Sequence, residues 1–245
     1  MSLKRVRKVL DAHLTKRALV LRGALGADRN HFCPACENRI VGFYRFGNTS
    51  DWGCPRCGSS PRERLVNHLI STQVLRVPEN GSVLHMAPSE LSLVRRFSVA
   101  REYVPADLEP ANYTAARAHR VDLMTLDDVG RFDLVYASHV LEHVPDDHVV
   151  LENLHRAMTP GGEAWFLVPL WRKPTEDGTP DMTAREREQR FGQWDHVRQY
   201  GPDIVDRLAA VGFEVEDIAA SSLNPADRSR EGLGDRLFRA RKPGS

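Results

Sequence analysis

The sequence predicts an α/β fold, a mostly parallel sheet with helices on both faces, preceded by a helix and a small cysteine module. Three observations carry this expectation. Short apolar runs recur from residue 82 onward. Amphipathic helical stretches separate most of them, which is the pattern of a parallel sheet covered on both sides. All four cysteines fall between Cys33 and Cys57, as two close pairs.

The strand candidates are Ser82–Met86, Glu102–Ala106, Arg120–Asp122, Phe132–Ala137, Glu163–Pro169, Phe213–Ile218 and Leu237–Arg241. Between them, residues 146–158 place Val150, Leu154 and Met158 at i, i+4 and i+8. Residues 202–211 place Ile204, Leu208 and Val211 on one helical face. Gly161 and Gly162 supply a turn into the following strand. Upstream, residues 3–25 read as an amphipathic helix with a stripe of Val6, Val9, Leu10, Leu14 and Leu21, ended by Gly23 and Gly26. Residues 61–76 read as a second helix with Pro61 in its first turn and Leu65, Leu69 and Val74 as apolar contacts. Residues 170–200 are polar, contain Pro174, Gly178, Pro180 and Gly192, and break the rhythm. A long insertion after a central strand is often functional. The segments expected are a basic helix over 1–30, a metal ribbon over 31–60, and an α/β domain over 61–245 with its insertion at 170–200.

The chain has 245 residues, 41% of them hydrophobic and 27% charged. That composition excludes disorder and a collagen-like fibre. No run approaches ~20 apolar residues, so no membrane span is expected. No signal peptide is apparent. Four clustered cysteines do not make a disulfide scaffold, and a reducing, cytoplasmic compartment is the expectation. The formal charge of +1 is uneven. Residues 1–29 carry eight Lys/Arg (Lys4, Arg5, Arg7, Lys8, Lys16, Arg17, Arg22, Arg29) against Asp11 and Asp28, a net +6 that leaves −5 for the rest. Such an arm is either a solvated helix face or a contact for an anionic partner.

The cysteines read Cys33-Pro-Ala-Cys36 and Cys54-Pro-Arg-Cys57-Gly58, with 17 residues between the pairs. Two C-x-x-C knuckles at this spacing point to tetrahedral Zn2+ on Cys33, Cys36, Cys54 and Cys57. Four thiolates leave no open position for water, so the expected role is structural. Phe43, Tyr44 and Phe46 look like short strands of a zinc ribbon.

Residues 131–169 contain Phe132-Asp-Leu-Val, then Ser138-His-Val-Leu-Glu-His-Val144, and then Met158-Thr-Pro-Gly-Gly162 before a last apolar run. In order and spacing this resembles the fourth-to-fifth strand region of class I S-adenosylmethionine (SAM)-dependent methyltransferases. The resemblance covers roughly residues 80–242 and implies a Rossmann-like, seven-stranded class I methyltransferase fold with SAM as cofactor. It implies that Asp107, followed by Leu108, accepts hydrogen bonds from the ribose hydroxyls. It implies that Asp122 and Leu123 meet the adenine, and that Ser138 and His139 stand at the rim of the site. An acid at a strand end also serves simply to cap the next turn.

The first loop departs from the family. Where the family carries a glycine-rich V-L-D-x-G-x-G-x-G, this chain reads Val83-Leu-His-Met86-Ala87-Pro88-Ser89-Glu90. Together with the knuckles and Phe191-Gly-Gln-Trp-Asp-His-Val-Arg-Gln-Tyr-Gly201, it resembles a bacterial subgroup with an A-P-x-E loop. That likeness implies cofactor contacts from Met86, Ala87, Pro88, Ser89 and Glu90, with Glu90 holding the methionine ammonium by a charge-assisted hydrogen bond.

For the chemistry, His139, His143 and His196 are the base candidates, since imidazole suits proton removal near neutrality. Arg198 is a candidate for binding an anionic acceptor. Tyr200, with Trp171 and Trp194, is a candidate for lining an aromatic acceptor pocket. The expected activity is methylation of a small-molecule acceptor, oxygen first and nitrogen second, in a biosynthetic setting. An RNA methyltransferase using ribbon and basic arm is the second reading, and a non-catalytic binding domain is the third. No motif encodes the oligomeric state, with a homodimer the form considered.

Overall fold

The computed structural model describes residues 3–244, with side chains from Val6 onward. The expectations placed on Lys4 and Arg5 lie outside the described side chains. The chain forms two compact units. One runs to Arg76 and takes in Ala219–Arg236; the other runs Val77–Ile218 and resumes at Leu237.

The first unit begins with α1 (Leu3–Ala24), followed by two small antiparallel hairpins. The first hairpin pairs β1 (His31–Cys33) with β2 (Asn38–Ile40), and the first cysteine knuckle forms its turn. The second pairs β3 (Tyr44–Phe46) with β4 (Thr49–Gly53). A Cβ on Gly53 would sit 2.1 Å from the Tyr44 ring, so only glycine allows that approach. A small core of Cys33, Ala35, Ile40, Phe43 and Cys54 fills the ribbon. The expected face of α1 is wrong. Val6, Val9, Leu10, Leu14 and Leu21 are all exposed. The covered stripe is Ala12, Thr15, Lys16, Leu19 and Gly23. Arg45 pairs with Asp11 at 2.7 Å, and Lys16 lies over the Tyr44 ring. Small and polar side chains therefore make this seam, and the aliphatic side faces outward.

Next comes α2 (Pro61–Ser71). Ser60 Oγ accepts from the Glu63 amide at 3.2 Å, and Pro61 occupies the first turn where no N–H is needed. Within this unit the Arg64 side chain is fully buried. Its guanidinium donates to the carbonyls of Ser59, Asp51, Glu231 and Gly232, and stacks 4.0 Å over the Phe43 ring. Burial pulls its pKa below the usual arginine value. Residues 219–236 contribute α7 (Pro225–Glu231), capped by the Asn224 side chain.

The second unit carries the seven-stranded sheet. In chain order its members are β5 (Ser82–Met86), α3 (Leu91–Phe97), β6 (Glu102–Asp107), a 3-10 turn at Pro110–Tyr113, β7 (His119–Arg120) and β8 (Phe132–Ser138). Then follow α4 (Asp147–Ala157) and β9 (Met158–Leu167). The insertion holds β10 (Glu176–Asp177), α5 (Ala184–Phe191) and β11 (Arg198–Gln199). It is followed by α6 (Ile204–Ala210), β12 (Glu214–Ala219) and, beyond α7, β13 (Arg236–Arg241).

The sheet order is β12-β13-β9-β8-β5-β6-β7. β5 through β9 run parallel, and β13 is antiparallel to β9. The chain builds outward from β5 through β6 to β7, then crosses back to place β8 on the other side of β5. Such a reversal, here between β5 and β8, is where a doubly wound sheet takes its ligand, outside the carboxyl ends of the strands. Leu84, Val135, Phe166, Leu154 and Leu208 are fully buried in the core on which these helices pack. The expected Gly161–Gly162 turn is instead part of β9, which already begins at Met158. Gly161 takes φ 78, and the register with β8 shifts there, so the pair makes a bulge.

Replacing Arg64 with Ala strands several buried carbonyls at once. Urea denaturation is expected to show a loss of at least about 3 kcal/mol, with an unchanged result excluding the assigned role.

Candidate functional site

The carboxyl ends of β5, β6 and β8 bring most of the sequence-predicted cofactor residues to one rim. β5 ends at Met86, and Ala87 follows with φ 50. That is the left-handed conformation glycine normally takes. The glycine-poor loop thus keeps the bend a glycine would make, and Ala87 carries the strain. The Ala87 amide donates to Ala106 O at 2.9 Å, and the Ser89 amide to Ala87 O at 2.7 Å. Pro88 is buried and Ser89 exposed. Glu90 is buried at the start of α3, where its carboxylate accepts from Tyr136 Oη at 3.0 Å.

His85 occupies the place where the family carries an acid. It is fully buried among Phe97, Tyr103 and Tyr136, with Nδ1 2.9 Å from Tyr103 Oη. Burial alone pushes its pKa down to about 3, so this imidazole is neutral.

Asp107 ends β6, half-buried, with Oδ1 accepting the Glu109 amide at 2.8 Å. Leu108 is exposed. Asp122 is exposed and caps the Met124 amide at 2.9 Å, whereas Leu123 is buried. Both acids thus shape their own loops, as strand-end acids do. Asp107 also bonds the Tyr113 hydroxyl; burial first, and Asp107 after it, hold the Tyr113 pKa above the usual tyrosine value.

β8 ends at Ser138, whose Oγ is buried with no hydrogen-bond partner among the described residues. His139 follows with φ 55, its amide donating to Leu167 O. The bend places His139, Glu142 and His143 in one tight turn. His139 Nδ1 lies 3.1 Å from Glu142 Oε1. The insertion closes on this turn. Val197 donates its amide to Glu142 O at 2.8 Å, and the His143 and His196 rings meet edge to face at 4.7 Å. His196 is buried, and burial is the main cause of a pKa below the usual histidine value.

The structure therefore brings His139, His143 and His196 together. Arg198 and Tyr200 are instead buried, with their polar groups taken up by the protein itself. Arg198 is buried and donates to Leu141 O at 2.6 Å, Val144 O at 2.7 Å, Pro145 O at 3.0 Å and Asp177 Oδ1 at 2.9 Å. Tyr200 is fully buried with Oη 2.7 Å from Asp147 Oδ2. Asp147 in turn pairs with Arg207. These groups fasten the insertion to the turn after β8 because their polar atoms are consumed by backbone carbonyls and carboxylates. Trp194 is exposed, and Trp171 Nε1 bonds to Pro174 O. Sequence reasoning passed over Glu142 as a site residue. Its signal was an acid inside an otherwise apolar turn, three residues after one histidine and next to another.

In the first unit, the four cysteine Sγ atoms lie within 4.8 Å of one another. Cys33–Cys57 is 3.8 Å and Cys36–Cys54 is 3.9 Å. Four sulfurs at ~2.3 Å from one tetrahedral ion would be about 3.8 Å apart. Burial and the neighbouring Cys33 and Cys57 push the Cys36 thiol up to about 12, a cost that a bound cation reverses.

A doubly wound sheet with this strand order and a polar rim at its switch point defines a nucleotide-type ligand-binding enzyme domain. A family model described as a methyltransferase domain matches residues 25–217, and the chain belongs to that family. A stretch of 112 residues, 39% of this chain, is 30% identical to the ubiquinone biosynthesis O-methyltransferase of Pseudomonas aeruginosa. It spans 42% of that relative's length. The enzyme of the same description from Azotobacter vinelandii is 25% identical over 189 residues, 65% of this chain and 72% of its own. Among solved structures, an S-adenosylmethionine-dependent methyltransferase from Mesorhizobium loti superposes with a TM-score of 0.52 at 17% identity, covering 70% of this chain and 95% of that one. A chain of the complex between the Haloferax volcanii Trm112 methyltransferase activator and a methyltransferase superposes with 0.54 at 16%, covering 73% and 88%. The fold is that of class I SAM-dependent methyltransferases. No helix among the described residues is long and apolar enough to cross a membrane.

Two outcomes follow from the loop and from His85. Ala87→Gly removes the left-handed strain, so thermal unfolding is expected to show a gain of up to about 1 kcal/mol. A large loss would show that the loop does not take this path. For His85, the unfolded chain takes up a proton below pH ~6.5 that the folded site refuses until about pH 3. Its contribution is present above pH ~6.5 and is lost as pH falls. From pH 6.5 to 5 that amounts to about 2 kcal/mol. Urea denaturation across this range is expected to show a shallower pH slope for His85→Gln, by about one proton. An identical slope would mean that His85 titrates normally in the folded chain.

Proposed function

We propose that this chain transfers the methyl group of SAM to a hydroxyl of a small-molecule acceptor, and that its ribbon holds one structural Zn2+. The observation that carries the reading is the convergence of His139, His143 and His196 at the carboxyl end of β8. A hydroxyl must lose its proton as it is methylated, and a neutral imidazole is the group suited to take it. The pKa of His196 lies below the usual value, which keeps it ready to accept one.

The rim fits the cofactor by its chemistry. Ser138 Oγ is an unpartnered buried polar atom at the end of β8, and Glu90 is a buried carboxylate held in place by Tyr136. When bound, SAM supplies an electrophilic methyl group. Glu90 would hold the methionine ammonium through a charge-assisted hydrogen bond. Asp107 would accept from the ribose hydroxyls, Asp122 and Leu123 would meet the adenine, and Ala87 through Ser89 would cover the chain between them. Arg198 and Tyr200 act at one remove, by holding the histidine-bearing segment in position. The two ubiquinone biosynthesis relatives are named as O-methyltransferases, which supports oxygen over nitrogen.

A nucleic-acid acceptor is the second reading. A groove of about 340 Å³ between α1 and the ribbon is edged by Arg29, Arg39 and Arg56. Binding through such a groove would weaken steeply with salt, whereas small-acceptor turnover would not.

The test is calorimetric titration with SAM and with its demethylated product, S-adenosylhomocysteine. Micromolar binding that weakens at least tenfold in Asp107→Ala is expected, equivalent to about 1.4 kcal/mol. Absence of binding to both ligands would overturn the reading. Elemental analysis is expected to find zinc held by the cysteines, and its removal to unfold the ribbon, since metal binding supplies much of the folding energy of so small a module.

A further inference from the structure

We propose that Glu142, His143 and His196 form a divalent metal site at the carboxyl end of β8, suited to a first-row transition ion with open positions for an acceptor oxygen. The proposal deepens the O-methyl-transfer reading, on which the ion's role rests; the site itself stands on geometry.

Each of the three residues offers one ligand atom, and these atoms lie within 4.8 Å of one another. Ligands sharing an ion at ~2.1 Å lie about 3–3.5 Å apart, so the trio needs a contraction of about 2 Å at most. Glu142 is fully buried, and neither carboxylate oxygen has a hydrogen-bond partner among the described residues. His139 Nδ1 lies 3.1 Å from Oε1, and the two form an ion pair only when that imidazole is protonated. A buried carboxylate in that condition calls for a cation. The nearby Arg198 does not supply one, because its donors go to Leu141, Val144, Pro145 and Asp177.

His196 is oriented from outside the cluster, and a carboxylate lies near the Nδ1 of His143. His196 Nδ1 lies 3.2 Å from Phe191 O, so Nδ1 carries the proton and Nε2 the lone pair. His143 Nδ1 lies 3.5 Å from Asp195 Oδ2. Metal-binding histidines are held in this way, by a carbonyl or carboxylate on the far nitrogen. The donor set completes the case. Two imidazoles and one carboxylate suit Zn2+, Mn2+ or Fe2+ better than Mg2+ or Ca2+, and three protein ligands leave room for another group. An acceptor hydroxyl bound there would lose its proton more readily, as metal-bound water does. The site differs in kind from the four-cysteine cluster, which closes all positions with sulfur.

The test uses the full chain without SAM or acceptor. Protein equilibrated with Zn2+ and then desalted is expected to retain one more ion per chain than Glu142→Gln or His143→Ala treated alike, with circular dichroism melting checking that each variant folds. On the unmodified protein, substoichiometric Mn2+ is expected to broaden the imidazole NMR signals of His143 and His196 first, while that of the buried His85 stays sharp. Equal metal content in wild type and folded variants would overturn the proposal. So would uniform or absent broadening by Mn2+. Failure to bind SAM in a separate titration would sink the methyl-transfer reading and leave the metal result standing.

Discussion

The arrangement of the site depends on the Arg198 guanidinium. Its N–H groups reach three carbonyls of the turn after β8, from Leu141, Val144 and Pro145. The turn ends a central strand, and its carbonyls have no ladder partner. In a buried position such groups must be paired. Arg198 pairs them and so fixes where the insertion returns. Asp177, Asp147, Arg207 and Tyr200 complete the network around it. Val197 then bonds to Glu142 and His196 meets His143. An arginine expected to bind an acceptor instead spends its donors on backbone carbonyls and Asp177, and so positions the segment that carries His196.

The first loop shows a different solution to a family constraint. A nucleotide site at a switch point needs the backbone to bend away from the strand. Glycine makes that bend at no steric cost, while Ala87 makes it with φ 50. The neighbouring residues make this tolerable. Ala87 is anchored to Ala106, and β5 behind it is buried throughout. His85 packs as a neutral aromatic where an acid would need a partner. Tyr136, next to that packing, holds the Glu90 carboxylate. The buried carboxylate near this loop is thus Glu90, while the strand position carries a neutral imidazole.

Much of this was legible in the sequence because it rests on local pattern. Alternating apolar runs and helical stripes located the central strands, and the turn after Phe132–Ala137 marked the rim. The cysteine spacing placed all four sulfurs in one cluster. What was not legible depends on contacts distant in sequence. The outward aliphatic face of α1 follows from a seam of Ala12, Thr15 and Lys16 that no periodicity distinguishes. The burial of Arg198 and Tyr200 requires the insertion to fold back over more than fifty residues. α5 carried a readable signal, since Thr183 and Glu186 form a capping box, yet its polar surroundings masked it. Glu142 shows the limit most clearly. Its motif was visible, but its lack of hydrogen-bond partners is a property of the folded interior.

The central claim is that one rim holds the cofactor beside the histidine cluster. A crystal structure of the chain with S-adenosylhomocysteine tests it directly. The account predicts the ribose on Asp107, the amino-acid end against Glu90 and Ser138, and the sulfur directed toward His139. Ligand bound elsewhere, or a rim that stays empty at saturating ligand, would contradict it.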